Sequence, residues 1–139
     1  MKVLVSACLL GENCKYSGGN NRNAKVLAWL ENHEAVPVCP EVLGGLPTPR
    51  TPAEIVDGAV ITKDGANVDR EFRRGAELAM EIAKREGVEL AVLQPRSPSC
   101  GVHQVYDGSF TGQKTDGQGI FAKLLSEKGI RLAEPDELP

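Results

Sequence analysis

The sequence predicts an α/β protein: an open, mostly parallel sheet with helices on both faces, in the three-layer Rossmann-like arrangement. Three observations carry this. Short apolar runs alternate with helical patterns along the chain, the order that builds parallel sheets. One run, Val88 to Leu93, is almost wholly apolar, as a strand covered on both faces must be. No repeat, linker or low-complexity tract interrupts the 139 residues, a length that suits one domain, 1–139, with a full-sized core.

The elements follow in order. Lys2 to Ala7 reads as the first strand. A Gly- and Asn-rich loop, Gly11 to Asn23, comes next. Asn23 is a suitable N-cap for a helix through Glu31, with Ala24, Leu27, Ala28 and Leu30 facing the core. Ala35 to Val38 is a second strand. Cys39 to Glu54 holds four prolines and the Gly44-Gly45 pair, so it reads as an ordered loop and not as regular structure throughout. Gly58 to Thr62 is a short strand ending at an Asp64-Gly65 turn. Asp69 is placed to cap the longest helix, which runs to Glu86 with Phe72, Ala76, Ala79 and Ala83 as its buried stripe. Glu81 and Arg85 stand four apart in the favourable order, and Gly87 ends the helix. After the Val88 to Leu93 strand, Gly101 to Gly119 is polar and turn-rich. The last helix spans Gln118 to Lys128, with Ile120, Phe121, Leu124 and Leu125 inward, and Ile130 to Leu132 adds an edge strand.

Composition narrows the function. Charged residues are 25% and hydrophobics 41%, normal for a soluble globular chain. The net charge of −3 argues against a nucleic-acid polymer as partner. The apolar start, Val3 to Ala7, is too short for a signal peptide, and no stretch is long enough to span a membrane. The expected location is therefore the cytoplasm, where the four cysteines stay reduced.

Those cysteines are the strongest chemical signal. Cys8 follows the first strand and Cys39 follows the second. Cys100 follows the central strand through a tight Ser97-Pro98-Ser99 corner. In an open α/β sheet, ligands bind outside the carboxyl ends of the strands, so three thiols are delivered to one edge. A single free cysteine most often packs as a small hydrophobe, but these stand at strand ends and turns. No pair has C-x-x-C spacing. Thiolates favour zinc, Cu(I) and iron–sulfur clusters. Structural zinc prefers close-spaced pairs, whereas cubane clusters take ligands from scattered positions. A cubane held by three cysteines leaves one iron open to a substrate. Cys14, in a loop, is a fourth candidate.

Other residues near these thiols have chemical potential. Glu41, two residues after Cys39 and held between prolines, is a candidate acid–base group. The Arg96 to Gly101 corner can present backbone N–H groups to an anion or to cluster sulfur. Lys15, Arg22, Arg50 and Arg96 are cations in the same loops. His33 and His103 have no partner at metal-ligand spacing, and they and Trp29 read as structural. The residues alone leave three readings open. These are an enzyme with an open cubane, a non-enzymatic zinc module using all four cysteines, and an electron-transfer protein with a fully ligated cubane.

Several segments together, in order and over nearly the whole chain, resemble the thiouracil desulfidase family, catalogued as domain of unknown function 523. They are Ala7-Cys8-Leu9-Leu10-Gly11, Cys14-Lys15-Tyr16, Cys39-Pro40-Glu41, Gly45-Leu46-Pro47-Thr48-Pro49-Arg50 and Ser97-Pro98-Ser99-Cys100-Gly101, with Tyr106-Asp107-Gly108 and Gly117 to Leu125 also fitting. The resemblance implies a [4Fe-4S] cluster with one iron not bound by protein. Its ligands fall on Cys8, Cys39 and Cys100, with Cys14 in reserve. Glu41 and Ser97 fall on catalytic positions. The implied reaction removes sulfur, as hydrosulfide and without redox change, from a thiolated pyrimidine base or nucleotide such as thiouracil or 4-thiouridine monophosphate. Glu41 would deprotonate the attacking water and Ser97 would hydrogen-bond the developing charge. Lys15, Arg22 and Arg50 are the candidate substrate-binding cations. The implied protein partner is the iron–sulfur assembly machinery, and no reductase is needed. Relatives with an extra fused domain exist; this is the short form. The chain departs from the commoner pattern after Cys14, where Lys15 and Ser17 replace an Arg and an Asp or Asn, which bears on substrate preference.

Overall fold

A computed structural model describes all residues, 1–139. In chain order the elements are β1 (Lys2–Ser6), α1 (Ala24–Leu30), β2 (Glu34–Val38), α2 (Pro40–Leu43), β3 (Ala53–Val56), β4 (Ala59–Thr62), α3 (Asp69–Glu86), β5 (Leu90–Val92), β6 (Gln104–Tyr106), β7 (Lys114–Asp116), α4 (Ile120–Glu127) and β8 (Arg131–Ala133). Single 3-10 turns follow β1 (Ala7–Leu10) and β8 (Pro135–Glu137).

The central sheet is wholly parallel, in the order β2-β1-β5-β8. Alternation along β1 sends Leu4 to one face and Val3 and Val5 to the other. Leu4 joins a core with Ala76, Ala79 and Ala83 of α3 and Phe121 and Leu125 of α4. Val3 and Val5 join a second core with Val26 and Leu30 of α1 and Leu138. Val3, Leu4 and Val5 are fully buried, which is why the strand reads as a continuous apolar run. Helices thus cover both faces, the three-layer α/β architecture the sequence predicts.

The α3 stripe is as expected: Phe72, Ala76, Ala79 and Ala83 are buried, joined by Gly75 and Met80. Gly87 takes the left-handed conformation (φ 67°) and donates its N–H to the Ala83 and Lys84 carbonyls. β8 is a parallel edge strand on β5.

Several details differ from expectation. In α1, Asn23 does cap, accepting from the Val26 N–H at 3.0 Å. The buried face, however, is Val26 and Leu30, with Ala24 and Ala28 exposed. Alanine is a good helix former but a poor indicator of which face is apolar. Asp69 is the first helical residue of α3 and not its cap. Its carboxylate accepts from the Val60 N–H at 3.1 Å and pairs with Arg73 at 2.7 Å, so the demand of a neighbouring strand outweighs capping. Arg85 pairs with its neighbour Glu86 at 3.6 Å instead of with Glu81.

The Cys39–Glu54 segment is not loop throughout. Pro40 starts the one-turn helix α2, and the segment's end enters β3. β3 pairs antiparallel with β4 across Asp57-Gly58, both at positive φ (49° and 83°), a D-G hairpin turn. The polar stretch after Cys100 contains a second hairpin, β6 with β7. β4 matches the Gly58 to Thr62 strand read from sequence, whereas β3, β6 and β7 escape a search for apolar runs because they are short and mostly half-buried or exposed.

Candidate active site

The chain builds β1, steps outward to β2, then crosses back past β1 to form β5 on its other side. Strand order reverses there, so the sheet splays between the carboxyl ends of β1 and β5, the usual place for a ligand crevice in this architecture. Ser6 Oγ, at the end of β1, accepts the Gln94 N–H at 3.0 Å and ties the two strand ends together. A cavity of about 800 Å³ opens above this point and reaches all four cysteines, Glu41 and Ser97.

Each thiol is delivered by a local device. Cys8 sits on the 3-10 turn after β1, which Gly11 closes at φ 101°. Cys39 precedes α2, where Pro40 occupies the first helical position and pre-sets its geometry. Cys100 leaves the Ser97-Pro98-Ser99 corner, which opens with Arg96 at φ 65°. Ser97 Oγ holds that corner by accepting the Ser99 N–H at 3.1 Å and the Cys100 N–H at 2.7 Å. α4 secures the corner from behind: the N–H groups of Ile120 and Phe121 donate to the Pro98 and Ser99 carbonyls, each at 2.9 Å.

Each of the three strand-end sulfurs also meets a hydrogen-bond donor. Asn21 Nδ2 is 3.5 Å from Cys8 Sγ. Ser99 Oγ lies 3.7 Å from Cys100 Sγ. Cys39 Sγ stands beside the Cys14 thiol. Burial pushes the Cys100 thiol up to about 12 and raises that of Cys8. The Cys14 hydrogen bond lowers Cys39 to about 7, and the same bond, with burial, raises Cys14. As a thiol, Cys39 faces the Cys14 carbonyl oxygen at 3.8 Å; as a thiolate it accepts from Cys14 Sγ.

The donor set fits a soft, polynuclear group. The one trio of ligand atoms within 4.8 Å of one another is His103, Glu134 and Glu137, outside the cavity. No three thiols lie mutually within 4.8 Å, wider than the edges, about 3.8 Å, of a zinc tetrahedron with 2.3 Å Zn–S bonds. Three thiols on separate strand ends, each with its own donor, suit a cluster whose sulfurs and ligands are tuned by hydrogen bonds.

Glu41 stands in the first turn of α2 with both oxygens engaged. Oε2 accepts from Ser99 Oγ at 2.7 Å, and Oε1 accepts from Arg50 Nε at 3.1 Å. Ser97 Oγ is 3.0 Å from Ser99 Oγ. With the Ser99 proton committed to the carboxylate, the Ser97 hydroxyl is the donor in that pair. A directional chain results, Ser97 to Ser99 to Glu41.

Of the sequence-derived site residues, Cys8, Cys39, Cys100, Glu41 and Ser97 converge on the cavity, and Cys14 joins them against Cys39. The proposed cations separate. Lys15 lines the cavity and donates to Asn21 Oδ1 at 3.3 Å. Arg22 does not line it; exposed, it borders a smaller pocket on the far side of Asn21. Arg50 is only 7% exposed at its side chain and binds protein groups. His33 bonds the Trp29 carbonyl at 3.0 Å and stacks on Trp29, and His103, away from the cavity, pairs with Glu137 at 3.0 Å. Ser99, Ser6 and Asn21 were not singled out from sequence. Ser99 lies inside the Cys100 corner, so its position was visible; nothing in the spacing marks Ser6 or Asn21.

Comparison with known proteins gives three findings. The family profile described as 2-thiouracil desulfurase matches residues 3–137. The uncharacterized protein YbbK of Bacillus subtilis (strain 168) is 36% identical over 146 residues, covering 98% of this chain and 97% of its own. A solved structure named [4Fe-4S]-dependent thiouracil desulfidase TudS is 42% identical with a TM-score of 0.93, covering 99% of this chain and 93% of that one.

Proposed function

The chain belongs to the 2-thiouracil desulfurase family, and from that premise we propose that it is a [4Fe-4S]-dependent desulfidase. It removes the sulfur of a thiolated pyrimidine, base or nucleotide, as hydrosulfide. The observation that carries this reading is the convergence of Cys8, Cys39 and Cys100 with the Ser99-bonded carboxylate of Glu41 on one cavity.

Cys8, Cys39 and Cys100 are the residues that would hold the cluster, leaving one iron without a protein ligand. When bound there, such a group supplies a soft Lewis acid that polarises a thiocarbonyl. The chain's own residues do the rest. The cavity, with apolar and polar walls, is large enough for a pyrimidine and a ribose phosphate. Glu41, fixed by Arg50 and Ser99, accepts the proton of the attacking water at Oε2. The Ser97 oxygen is held by two backbone N–H groups, and its hydroxyl proton, turned from Ser99 Oγ toward the cavity, would donate to charge developing on the substrate. Carbon–sulfur cleavage by water moves no net electrons, so no reductase partner is required. Cys14 serves as hydrogen-bond donor to Cys39 and not as a ligand. A cytoplasmic location suits this reading, since it keeps the thiols reduced and gives access to the iron–sulfur assembly machinery. No helix is long and apolar enough to cross a membrane.

Anaerobic reconstitution followed by a sulfide assay tests the proposal. The expected outcome is a brown protein with about four irons and labile sulfide that releases hydrosulfide from 2-thiouracil, 4-thiouracil or 4-thiouridine monophosphate. A reconstituted protein holding stoichiometric zinc instead, or one that releases no sulfide from any of the three, contradicts it.

A further inference from the structure

We infer that Arg50 is a positioning residue, one that orients Glu41 and ties the Cys14 loop to α2, and not a cation that receives a substrate phosphate. All three guanidinium nitrogens are engaged by protein. Nε donates to Glu41 Oε1 at 3.1 Å, and Nη2 stands 3.1 Å from the same oxygen. Nη2 donates to the Cys14 carbonyl at 2.8 Å, and Nη1 donates to the Pro47 carbonyl at 3.2 Å and Thr48 Oγ1 at 3.0 Å. The main chain reinforces the tie, since the Arg50 N–H donates to the Tyr16 carbonyl at 2.7 Å. A planar fork with this many fixed acceptors is what arginine provides and lysine does not.

The consequence for Glu41 is geometric. A carboxylate offers about four lone-pair sites over its two oxygens. Oε1 faces the edge of the guanidinium. Oε2 receives only Ser99 Oγ, so its remaining lone pair is the one open to a water in the cavity. Arg50 thereby selects which oxygen works and keeps α2 in register with the loop that carries Cys14, Lys15 and Tyr16. A phosphate could bind Arg50 only by displacing these bonds.

The inference rests on the desulfidase reading for its catalytic half, so one arm of its test avoids turnover. Arg50→Lys and Arg50→Gln are made in the full chain. Amide hydrogen exchange is followed with and without iron. The expected result is faster exchange at residues 14–19 in both variants. The second arm compares kcat and KM for 2-thiouracil and 4-thiouridine monophosphate. Misplacing a catalytic group costs about 10²-fold in rate. A loss of that order is expected in kcat, equal for the two substrates, with little recovery in Arg50→Lys. Exchange like wild type, or a KM increase confined to the nucleotide with 2-thiouracil kinetics intact, overturns the inference. If wild type releases no sulfide from either compound, the proposed function fails, and the exchange arm alone decides Arg50.

Discussion

In the proposed mechanism, Glu41 is the residue on which most of the chemistry depends. The amide of Glu41→Gln keeps the shape but cannot take a proton from water. The variant is expected to retain full iron content and lose about 10²–10⁴ in turnover; wild-type turnover in a fully loaded variant would return Glu41 to a structural role. The cysteines make a parallel prediction. Cys8→Ser, Cys39→Ser and Cys100→Ser should each lose the cluster, while Cys14→Ser should keep it, as iron analysis of the four variants will show. Acidities separate the same residues in iron-free protein. Cys39, held near 7 by the Cys14 hydrogen bond, is thiolate at about pH 8, while buried Cys100, pushed up to about 12, is thiol. Iodoacetamide should therefore label Cys39 first and Cys100 last, as mass mapping of the labelled peptides will record. The signs for stability are opposite. Cys39, depressed from 9.0, stabilises the fold above pH 9, a contribution lost as pH falls through 7. Cys100, raised from 9.0, contributes below pH 9 and loses that as pH rises toward 12.

Among the elements, α2 is small and depends wholly on its neighbours. It packs on α3 through two glycines. A Cβ at Gly75 would stand 1.7 Å from the Pro40 carbonyl oxygen, and one at Gly44 would stand 2.0 Å from that of Glu71. Backbone must move to admit either. Alanine favours a helix by about 1 kcal/mol over glycine, but overpacking costs about 1–3 kcal/mol. Gly75→Ala should therefore lower the melting temperature and, by shifting α2, depress turnover more than stability. A variant more stable than wild type would contradict this packing. The elements also show what sequence could reveal. The parallel strands and α3 were legible because one apolar period dominates each. Cysteines at strand ends were legible because the sheet architecture assigns those ends a role. The β6–β7 hairpin was not, because those strands bury little and carry no periodicity. Nor was the duty of Arg50: a cation in a loop looks the same whether it meets solvent, phosphate or a buried carboxylate, and only the fold brings Glu41 within 3.1 Å.

Across the whole molecule, the catalytic crevice is a product of topology. The reversal of strand order between β1 and β5 opens the edge where Cys8 and Cys100 emerge, and β2 adds Cys39 from the side. The segments between α2 and α3 and after Cys100 wall the cavity with residues from Leu46 to Val68 and from Tyr106 to Gly112. The sheet thus sets the positions of the sulfurs, while the added loops and hairpins shape the space above them. That division explains how the sequence can depart from the common pattern at Lys15 and Ser17 without touching the thiols. In the proposed reaction, water activated at Glu41 replaces sulfur without net electron transfer. This is tested most directly by running the reconstituted protein on 2-thiouracil in oxygen-18-labelled water, under strict anaerobiosis and with no reductant or oxidant. The account predicts many turnovers, one hydrosulfide per uracil, and the heavy oxygen in the uracil formed. A need for a reductant, or uracil without the label, would contradict it.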